Sequence, residues 1–289
     1  MDVSIIIVNY NTANILPVCL DSVLQQIGVS YQMIVVDNAS QDNSQEVLKT
    51  YAARAILLLN KDNLGFGRAN NQAFHHCQGR YIYLLNPDAN LQSPTALQEL
   101  VAFMDKNPSY GIAGTRIIKA KGGETKPLYN YPGQKYNPSI FSQLPGEIAW
   151  VLGASMIIRR EAYALVNGFD EDYFLYGEET DLCLRVRKQG YAIGYCGDVE
   201  VSHIGGASEQ RTPTQQLWDK KYRGLYLFYR KHYSPQVVSR LVKRHFLKSS
   251  LRLFILNIQK LIFPLKGNSL AKYYRYKSLQ EISREFLTK

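Results

Sequence analysis

The sequence of 289 residues predicts an α/β protein: a central, mostly parallel sheet flanked by helices, with a basic helical extension at its C-terminus. Short β-branched apolar runs alternate with segments of helical period through residues 3–106. Acidic side chains follow several of these runs, where each predicted strand ends. Ligand sites of open α/β sheets lie at that edge, so the pattern also predicts where a functional site forms.

Four strands are predicted in the first half of the chain, with helices between them. Residues 3–9 are too apolar for a surface strand, so we expect them to be buried on both faces. The other strands are predicted at 31–36, 55–59 and 81–85, and the helices at 13–26, 45–51, 67–77 and 95–106. This alternation predicts parallel strands joined by right-handed crossovers.

The second half begins with an irregular segment. Residues 119–147 are rich in Gly, Pro, Tyr and Lys and have no sustained period, which predicts a lid or binding loop. Strands are predicted at 150–158, 192–195 and 199–203, and helices at 160–166 and 178–189. From Thr214 onward the chain is predicted to be helical.

Composition limits the class of protein. An apolar fraction of 46% and an aromatic fraction of 12% suffice for a large core and exclude global disorder. Cys19 and Cys183 lie beside leucines in helical patterns, so we expect core thiols in a reducing compartment. Met1 and Asp2 lead directly into the first strand without a basic, cleavable leader, so we expect a cytoplasmic protein.

The net charge of +10 is unevenly distributed. Residues 220–289 carry 17 Lys and Arg against two Glu, a net charge of +15. Residues 1–219 carry 17 basic and 22 acidic side chains, a net charge of −5. A mildly acidic body with a basic tail indicates one part for chemistry and one that locates the protein near an anionic partner.

The tail combines basic and apolar periodicity. Basic residues recur every fourth position at Arg240, Arg244, Lys248 and Arg252, and an apolar stripe runs through Leu247, Leu251, Ile255, Ile258 and Ile262. This pattern predicts an amphipathic helix that lies on an anionic membrane surface through residues 237–277, at the inner face of the cell membrane. The alternative is a stripe that packs onto the body with solvated charges. Charged residues interrupt every run long enough to span a membrane.

Asp37 ends the second predicted strand. A carboxylate at that position can accept the imino N–H of uracil or thymine, and Tyr10 could stack on the same base. The alternatives are an Asx-turn or helix cap for Asp37, although Asp42 is the more natural cap, and simple packing for Tyr10.

Two further clusters fit a diphosphate and its metal. The glycines of residues 60–70 would let backbone N–H groups approach phosphates, and Arg68 could add a bidentate contact, although the spacing matches no Walker or dinucleotide motif. Asn86-Pro87-Asp88 ends the fourth strand, where Asp88 could hold a divalent ion. The alternative for Asp88 is a solvated turn.

Three acidic residues lie close together in the first turn of the helix predicted at 178–189: Glu178, Glu179 and Asp181. Crowding can raise the pKa of one carboxyl toward that of a general base. Asp181 and Arg185 are spaced for a structural salt bridge, which leaves Glu179 as the first candidate base and Asp181 as the second. His203 follows a strand and could bind metal or phosphate, although a lone His there is often structural.

In this order the motifs resemble those of inverting family 2 glycosyltransferases of the GT-A fold, particularly their bacterial rhamnosyltransferase-like branch. The resemblance covers residues 3–206. It rests on Ile-Val-Asn9-Tyr10-Asn11, Asp37-Asn38-Ala-Ser, Asn63-Leu-Gly65-Phe-Gly67-Arg-Ala-Asn70, Asn86-Pro87-Asp88, Tyr-Gly-Glu178-Glu179-Thr-Asp181 and His203-Ile-Gly-Gly-Ala-Ser208.

The resemblance implies a role for each matching residue. Nucleotide-sugar binding would fall to Val8, Asn9, Tyr10, Asp37, Asn63, Gly65, Arg68, Asn70 and Asn86. Asp88 would hold Mg²⁺ or Mn²⁺, assisted by His203, and Glu179 would be the base. Two residues depart from the family pattern: Asn86 replaces an acid of the metal motif, and Glu179 replaces the commoner Asp.

The implied reaction is a single displacement. The base takes the acceptor hydroxyl proton, the oxygen attacks the anomeric carbon, and configuration inverts. The donor would be a dTDP- or UDP-linked sugar, with rhamnose favoured, and the acceptor a lipid-linked saccharide in polysaccharide synthesis. Residues 1–212 would form the catalytic domain, with a nucleotide-binding half at 1–116 and an acceptor half at 117–212, and residues 213–289 the extension.

Three rival interpretations are open at this point. A sugar nucleotidyltransferase would use a similar sheet but would need a Gly-rich triphosphate loop, which Asn9-Tyr10-Asn11-Thr12-Ala13 does not supply. The basic tail could bind nucleic acid, but no motif of that class supports it, so no nucleic-acid partner is expected. An inactive glycosyltransferase-like protein is suggested only by Asn86.

Overall fold

The computed structural model describes residues 1–120, 122–209 and 214–288. The strands are β1 Val3–Asn9, β2 Tyr31–Asp37, β3 Ile56–Leu59, β4 Tyr81–Leu85, β5 Ala89–Leu91, β6 Tyr110–Lys119, β7 Glu124–Thr125, β8 Ser155–Arg159 and β9 Ala192–His203. The α-helices are α1 Leu16–Leu24, α2 Ser44–Lys49, α3 Phe66–Phe74, α4 Ala96–Lys106, α5 Arg160–Leu165, α6 Glu178–Lys188, α7 Thr214–His232, α8 Pro235–Ile262 and α9 Gly267–Leu287. Short 3₁₀ helices lie at Gln134–Tyr136, Pro138–Ile140 and Ala207–Glu209.

The sheet has the order β3-β2-β1-β4-β8-β6-β9-β5, with β7 paired to β6. The first four strands are parallel, as predicted, and β6 also runs parallel to β9. The register of β1 on β2 places Asn9 beside Asp37. The strand ends that were predicted to carry polar chemistry therefore meet at one edge.

Burial of β1 on both faces explains its unbroken apolar run. Alternate residues of a strand point to opposite faces. Ile5 and Ile7 enter a core shared with α1 and α4, whereas Ile6 and Val8 enter a second core shared with α3 and α6. The predicted α/β layering is confirmed.

Some predicted boundaries were wrong. The strand expected at 150–158 begins at Ser155, because Trp150 makes only an isolated bridge to Leu128. The two strands expected at 192–195 and 199–203 are one strand, β9, interrupted by a register shift opposite Thr115 and Arg116.

Strands β5 and β6 were not predicted at all. Gly111 and Gly114 lower the strand propensity of β6. The fold needs both glycines, because a Cβ at either would lie 2.7 Å from a valine side chain, that of Val186 or Val151.

The chain divides into two compact units. The first contains Met1–Tyr131, Gln143–Phe174 and Glu178–Gln210, and the second contains Pro132–Ser142, Leu175–Gly177 and Arg211–Lys289. The predicted boundary at 212/213 lies outside the described residues, so it stays a prediction. In the second unit α9 packs against both α7 and α8. Among the described helices, none combines the length and hydropathy that crossing a bilayer requires.

A buried chain of three hydroxyl groups joins the parallel strands to the antiparallel ones. The hydroxyls of Tyr83 on β4 and Ser155 on β8 lie 2.6 Å apart. The Thr115 hydroxyl on β6 donates to Ser155 Oγ at 2.7 Å. Ser155 is therefore the shared partner of the other two.

We predict that Ser155→Ala lowers the free energy of unfolding by about 1–3 kcal/mol, because it leaves two buried hydroxyls unpaired. Denaturant unfolding measures the loss, with exposed Ser109→Ala as the control. Adding Tyr83→Phe to Ser155→Ala should recover part of the loss. Equal unfolding midpoints for Ser155→Ala and Ser109→Ala would contradict the role of the chain.

Candidate active site

Asn9 and Asp37 form a buried polar pair where β1 and β2 end. Asn9 Nδ2 donates to Asp37 Oδ1 at 2.8 Å and to Ser40 Oγ at 3.1 Å. The other carboxylate oxygen, Asp37 Oδ2, accepts from the Ser40 N–H and from Gln45 Nε2, each at 3.1 Å. Asp37 is fully buried, and its bond to the Ser40 N–H spans three residues, one more than in the Asx-turn that was one alternative interpretation. Gln45, which is only half-buried, is the partner of Asp37 nearest to solvent.

Asn38 organises the loop that leads to α3. Its amide donates to Asn63 Oδ1 at 2.8 Å and to the Gly65 carbonyl at 3.2 Å, and its oxygen accepts from the Leu64 N–H. Gly65 has φ +84°, and a Cβ there would lie 2.4 Å from the Phe174 carbonyl oxygen. Asn63 and Gly65, which were predicted to bind the nucleotide sugar, are thus fixed in one loop beside the end of β2.

The predicted residues of α3 have structural partners. Arg68 Nε donates to the Glu171 carbonyl at 3.0 Å, and its side chain is about half exposed. Asn70 is buried and donates to the Phe66 carbonyl one turn earlier. Neither hydrogen bond excludes a contact with a nucleotide-sugar donor. The Asn70 side chain is nevertheless buried in the protein, and the Arg68 side chain points toward the segment before α6.

Asp88 and His203 meet, although 115 residues separate them. His203 Nε2 lies 3.1 Å from Asp88 Oδ1, and the Gly205 and Ala207 N–H groups donate to Asp88 Oδ2 at 3.1 and 3.3 Å. Burial raises the pKa of the Asp88 carboxyl, but the His203 contact and the Ala207 backbone bond outweigh it, so the pKa lies below its usual value. The pairing of β5 with β9 sets this geometry by placing Ala89 opposite His203.

The three acids at the start of α6 have three different environments. Asp181 is fully buried and pairs with Arg185 Nε at 2.6 Å, so the salt bridge predicted from the spacing is confirmed. Glu178 is buried, and burial followed by the charge of Glu179 raises its pKa well above the usual value. Glu179 is only half-buried. Of the three side chains, that of Glu179 is the least buried, although its Oε2 atom is itself buried.

Glu179 lies close to the Asn86-Pro87-Asp88 turn. A Cβ on Gly153 would be 3.5 Å from the Cβ of Glu179. The next residue, Ala154, accepts a hydrogen bond of 3.0 Å from the Asn86 N–H. The candidate base and the candidate metal turn therefore flank the same short segment before β8.

Two amides that the sequence reasoning did not select hold this edge together. One is Asn38, described above. The other is Asn71, whose Oδ1 accepts from the Tyr163 hydroxyl at 2.7 Å and the Phe169 N–H at 2.9 Å. Asn38 directly follows Asp37, and Asn71 directly follows Asn70; both preceding residues were predicted to be in the site. Two consecutive polar residues at a strand end or in a helix were therefore the sequence signal that could have identified Asn38 and Asn71.

The donor set suits a divalent ion shared with a substrate. The Asp88 carboxylate and the His203 imidazole would supply one oxygen and one nitrogen ligand, and these two atoms lie 3.1 Å apart. Within the described ranges, no group of three or more His, Cys, Asp or Glu side chains is placed to bind a metal. Two protein ligands are compatible with Mg²⁺ or Mn²⁺ when phosphate oxygens and water complete the shell.

Comparison with known proteins identifies the family. The sequence profile of glycosyl transferase family 2 matches residues 4–165, more than half of the chain. The chain belongs to glycosyl transferase family 2. A second profile, described as the N-terminal domain of galactosyltransferase, matches residues 141–204.

Relatives of this glycosyltransferase include rhamnosyltransferases. The N-acetylglucosaminyl-diphospho-decaprenol L-rhamnosyltransferase of Mycobacterium tuberculosis is 24% identical over 235 residues, covering 68% of this chain and 73% of the relative. Rhamnosyltransferase WbbL of Escherichia coli K12 is 26% identical over 192 residues, covering 57% of this chain and 69% of the relative.

Solved structures share the fold at low sequence identity. The mannosyltransferase PcManGT of Pyrobaculum calidifontis, solved with GDP-Man and Mn²⁺, has a TM-score of 0.62 at 15% identity and covers 99% of this chain and 86% of its own. S. aureus TarS has a TM-score of 0.61 at 15% identity, and the match covers 97% of this chain but only 55% of TarS. The predicted GT-A fold is thereby confirmed.

The buried Glu178 generates a prediction of pH-dependent stability. Its pKa is raised in the folded state, so its contribution is complete below the unfolded value of about 4.5 and is lost as pH rises through the folded pKa. Glu178→Gln carries no such loss. We expect the thermal midpoint of Glu178→Gln relative to wild type to increase from acidic to neutral pH.

Thermal unfolding at several pH values measures this difference, with exposed Glu46→Gln as the matched control. A Glu178→Gln difference that stays constant across the pH series would contradict the raised pKa.

Proposed function

We propose that this family 2 glycosyltransferase moves a sugar, with rhamnose favoured, from a dTDP- or UDP-linked donor to a saccharide acceptor with inversion of configuration. The rhamnosyltransferase relatives support the sugar. The M. tuberculosis relative is named for a diphospho-decaprenol acceptor, which supports a lipid-linked acceptor and a role in polysaccharide synthesis. The choice of a pyrimidine nucleotide is argued from Asp37.

The observation that carries the proposal is the contact of Asp88 with His203, together with the position of Glu179 beside the segment that bonds to Asn86. Asp88 is held ionised by His203 and two backbone N–H groups. Glu179 lies across the Gly153–Ala154 segment from Asn86. Two residues that could hold a metal ion, and through it neutralise charge on a departing diphosphate, thus lie near the carboxylate proposed to accept a proton. An inverting displacement needs both functions.

Asp88 and His203 would hold the divalent ion, with Asn86 beside them. When bound, Mg²⁺ or Mn²⁺ would neutralise the negative charge that develops on the nucleotide diphosphate. Asn86 adds no charge to the site, so the ion would depend on Asp88 and the donor's own oxygens. The Gly205 and Ala207 N–H groups fix the orientation of the Asp88 carboxylate.

Glu179 is the proposed general base. It would accept the proton of the acceptor hydroxyl as that oxygen attacks the anomeric carbon and the diphosphate leaves from the opposite face. Asp181 is less suited, because burial and the ion pair with Arg185 occupy its carboxylate. One base suffices for a single displacement.

Asp37 is the proposed acceptor for the pyrimidine N–H, with Tyr10 at the base. Because Asp37 is fully buried, the pyrimidine would have to take the place of Gln45. The Gln45 side-chain amide donates a hydrogen bond to Asp37 Oδ2, and Gln45 is the only half-buried one of the partners described for the Asp37 carboxylate. Asn9 would keep the carboxylate in position through its bond to Oδ1.

The nucleotide proposal predicts a metal-dependent gain in thermal stability with one pyrimidine diphosphate. A ligand at a hundred times its Kd stabilises a protein by about 2.7 kcal/mol. A thermal-shift screen with dTDP, UDP, GDP and ADP, each with and without Mn²⁺, measures this gain. We expect Asp88→Asn to lose the metal-dependent part. A screen without any nucleotide-dependent shift would overturn the proposal.

If Glu179 is the general base, Glu179→Gln should lower kcat by roughly 10²–10⁴-fold, because no carboxylate then takes the proton of the attacking hydroxyl group. Donor-dependent thermal stabilisation should be unchanged, because Glu179 does not bind the nucleotide. Sugar transfer to a synthetic acceptor measures kcat, with Glu46→Gln as the control. A comparable loss in Asp181→Asn but not in Glu179→Gln would move the base to Asp181.

A further inference from the structure

Helix α8 carries a second apolar face that its neighbouring helices do not cover. We define the outward strip as the exposed apolar residues of α8 from position 247 to its end: Leu247, Leu251, Phe254, Ile255, Ile258, Leu261 and Ile262. All are at least 40% exposed, and Leu247, Leu251 and Leu261 are 68%, 62% and 87% exposed. A contiguous exposed apolar surface marks a binding site.

The strip cannot turn inward, because the opposite face of α8 is already packed. The buried positions of α8 are Leu241, Val242, Ser249, Leu253 and Leu256. At 100° per residue they lie on the other side of the helix from the strip. Three contacts fix the pairing of α8 with α9: Gln280 Nε2 with Ser250 Oγ at 2.8 Å, Arg284 over Phe246, and Lys260 over Tyr273.

The charge around the strip is of one sign. Residues 235–277 contain ten Lys and Arg and no Asp or Glu. Arg240, Lys243 and Arg244 are exposed one to two turns before the strip, and Lys248 and Arg252 are exposed within its length.

The acids of the adjacent helices bond elsewhere. Glu285 pairs with Arg223 at 2.9 Å, Glu281 accepts from Gln215 at 2.8 Å, and Asp219 accepts from Ser278. These bonds join α7 to α9, and no Asp or Glu of the described residues forms an ion pair with a cation of α8.

We propose that the outward strip of α8 binds the surface of an anionic lipid bilayer. From Leu247 to Ile262 the strip is about 24 Å long, and an interfacial helix buries such a face about 5–10 Å into the headgroup and acyl boundary. The flanking cations would meet anionic headgroups. The bilayer accounts for both features, the apolar strip and the single sign of charge.

Two other occupants account for only one feature each. A second copy of the chain would cover the apolar strip but would bring like charges together. A nucleic acid would meet the cations but would leave the aliphatic side chains without partners, because its backbone contacts are polar.

Vesicle co-sedimentation of the full chain tests the proposal. We expect binding to phosphatidylglycerol-containing vesicles, little binding to pure phosphatidylcholine, and weakening as salt is raised. Leu251→Ser with Ile258→Ser should weaken binding by tenfold or more, because it removes buried aliphatic groups. Leu165→Ser is the matched control, since Leu165 is 55% exposed and lies outside the tail.

The charge contribution is tested separately with Lys248→Gln and Arg252→Gln, against Arg54→Gln and Lys106→Gln in the first unit. We expect the tail pair to weaken binding to anionic vesicles by roughly tenfold or more and the control pair to leave it unchanged. Circular dichroism and the thermal midpoint verify that each variant is folded.

Three results would overturn the proposal: equal binding to neutral and anionic vesicles, no effect of the double Ser variant, or no vesicle binding. Light scattering and a duplex DNA binding assay would then assign the strip to a second copy or the cations to nucleic acid. No donor or acceptor is present in these assays, so their outcome is independent of the proposed transfer reaction.

Discussion

Strand β1 is hydrogen-bonded to β2 on one edge and β4 on the other, and its side chains are buried in separate cores on both faces. Such a strand has no exposed position for polar side chains until it ends. Parallel neighbours in register end at the same edge, which is why Asn9 faces Asp37 and why the loops after β1 and β2 must satisfy each other's hydrogen bonds. The polar network at that edge is thus a consequence of the burial of the sheet.

The second half of the site depends on the strands that join this parallel sheet from the other direction. Asp88 gains its partners because β5 pairs with β9, and Glu179 approaches the same edge because the segment before β8 separates it from Asn86. Strands β5, β8 and β9 are short or contain glycine. Pairing with neighbouring strands stabilises them more than the intrinsic strand propensity of their residues does. The chemistry of the edge therefore rests on long-range pairing.

This difference decides what the sequence could reveal. Strands β1 to β4 and five of the seven residues of the outward strip of α8 were predicted because local patterns, an apolar run or a helical period, determine them. The Asp181–Arg185 pair was predicted for the same reason, since both residues lie on one helix. Strand β6 was missed because its two glycines lower its strand propensity. Gly111 and Gly114 are needed only because Val186 and Val151, which are distant in sequence, leave no room for a Cβ there. The roles of Asn38 and Asn71 also depend on loops brought in from elsewhere.

The adjacent carboxyls of Glu178 and Glu179 have a consequence for how activity would depend on proton concentration. Because the charge of Glu179 contributes to the raised pKa of Glu178, the two groups do not titrate as independent sites. Protons leave such a pair in two macroscopic steps that belong to both residues. An acidic limb in a pH–rate profile would therefore report the pair as a unit, and it could shift through a change at Glu178 even if Glu179, the proposed base, were untouched.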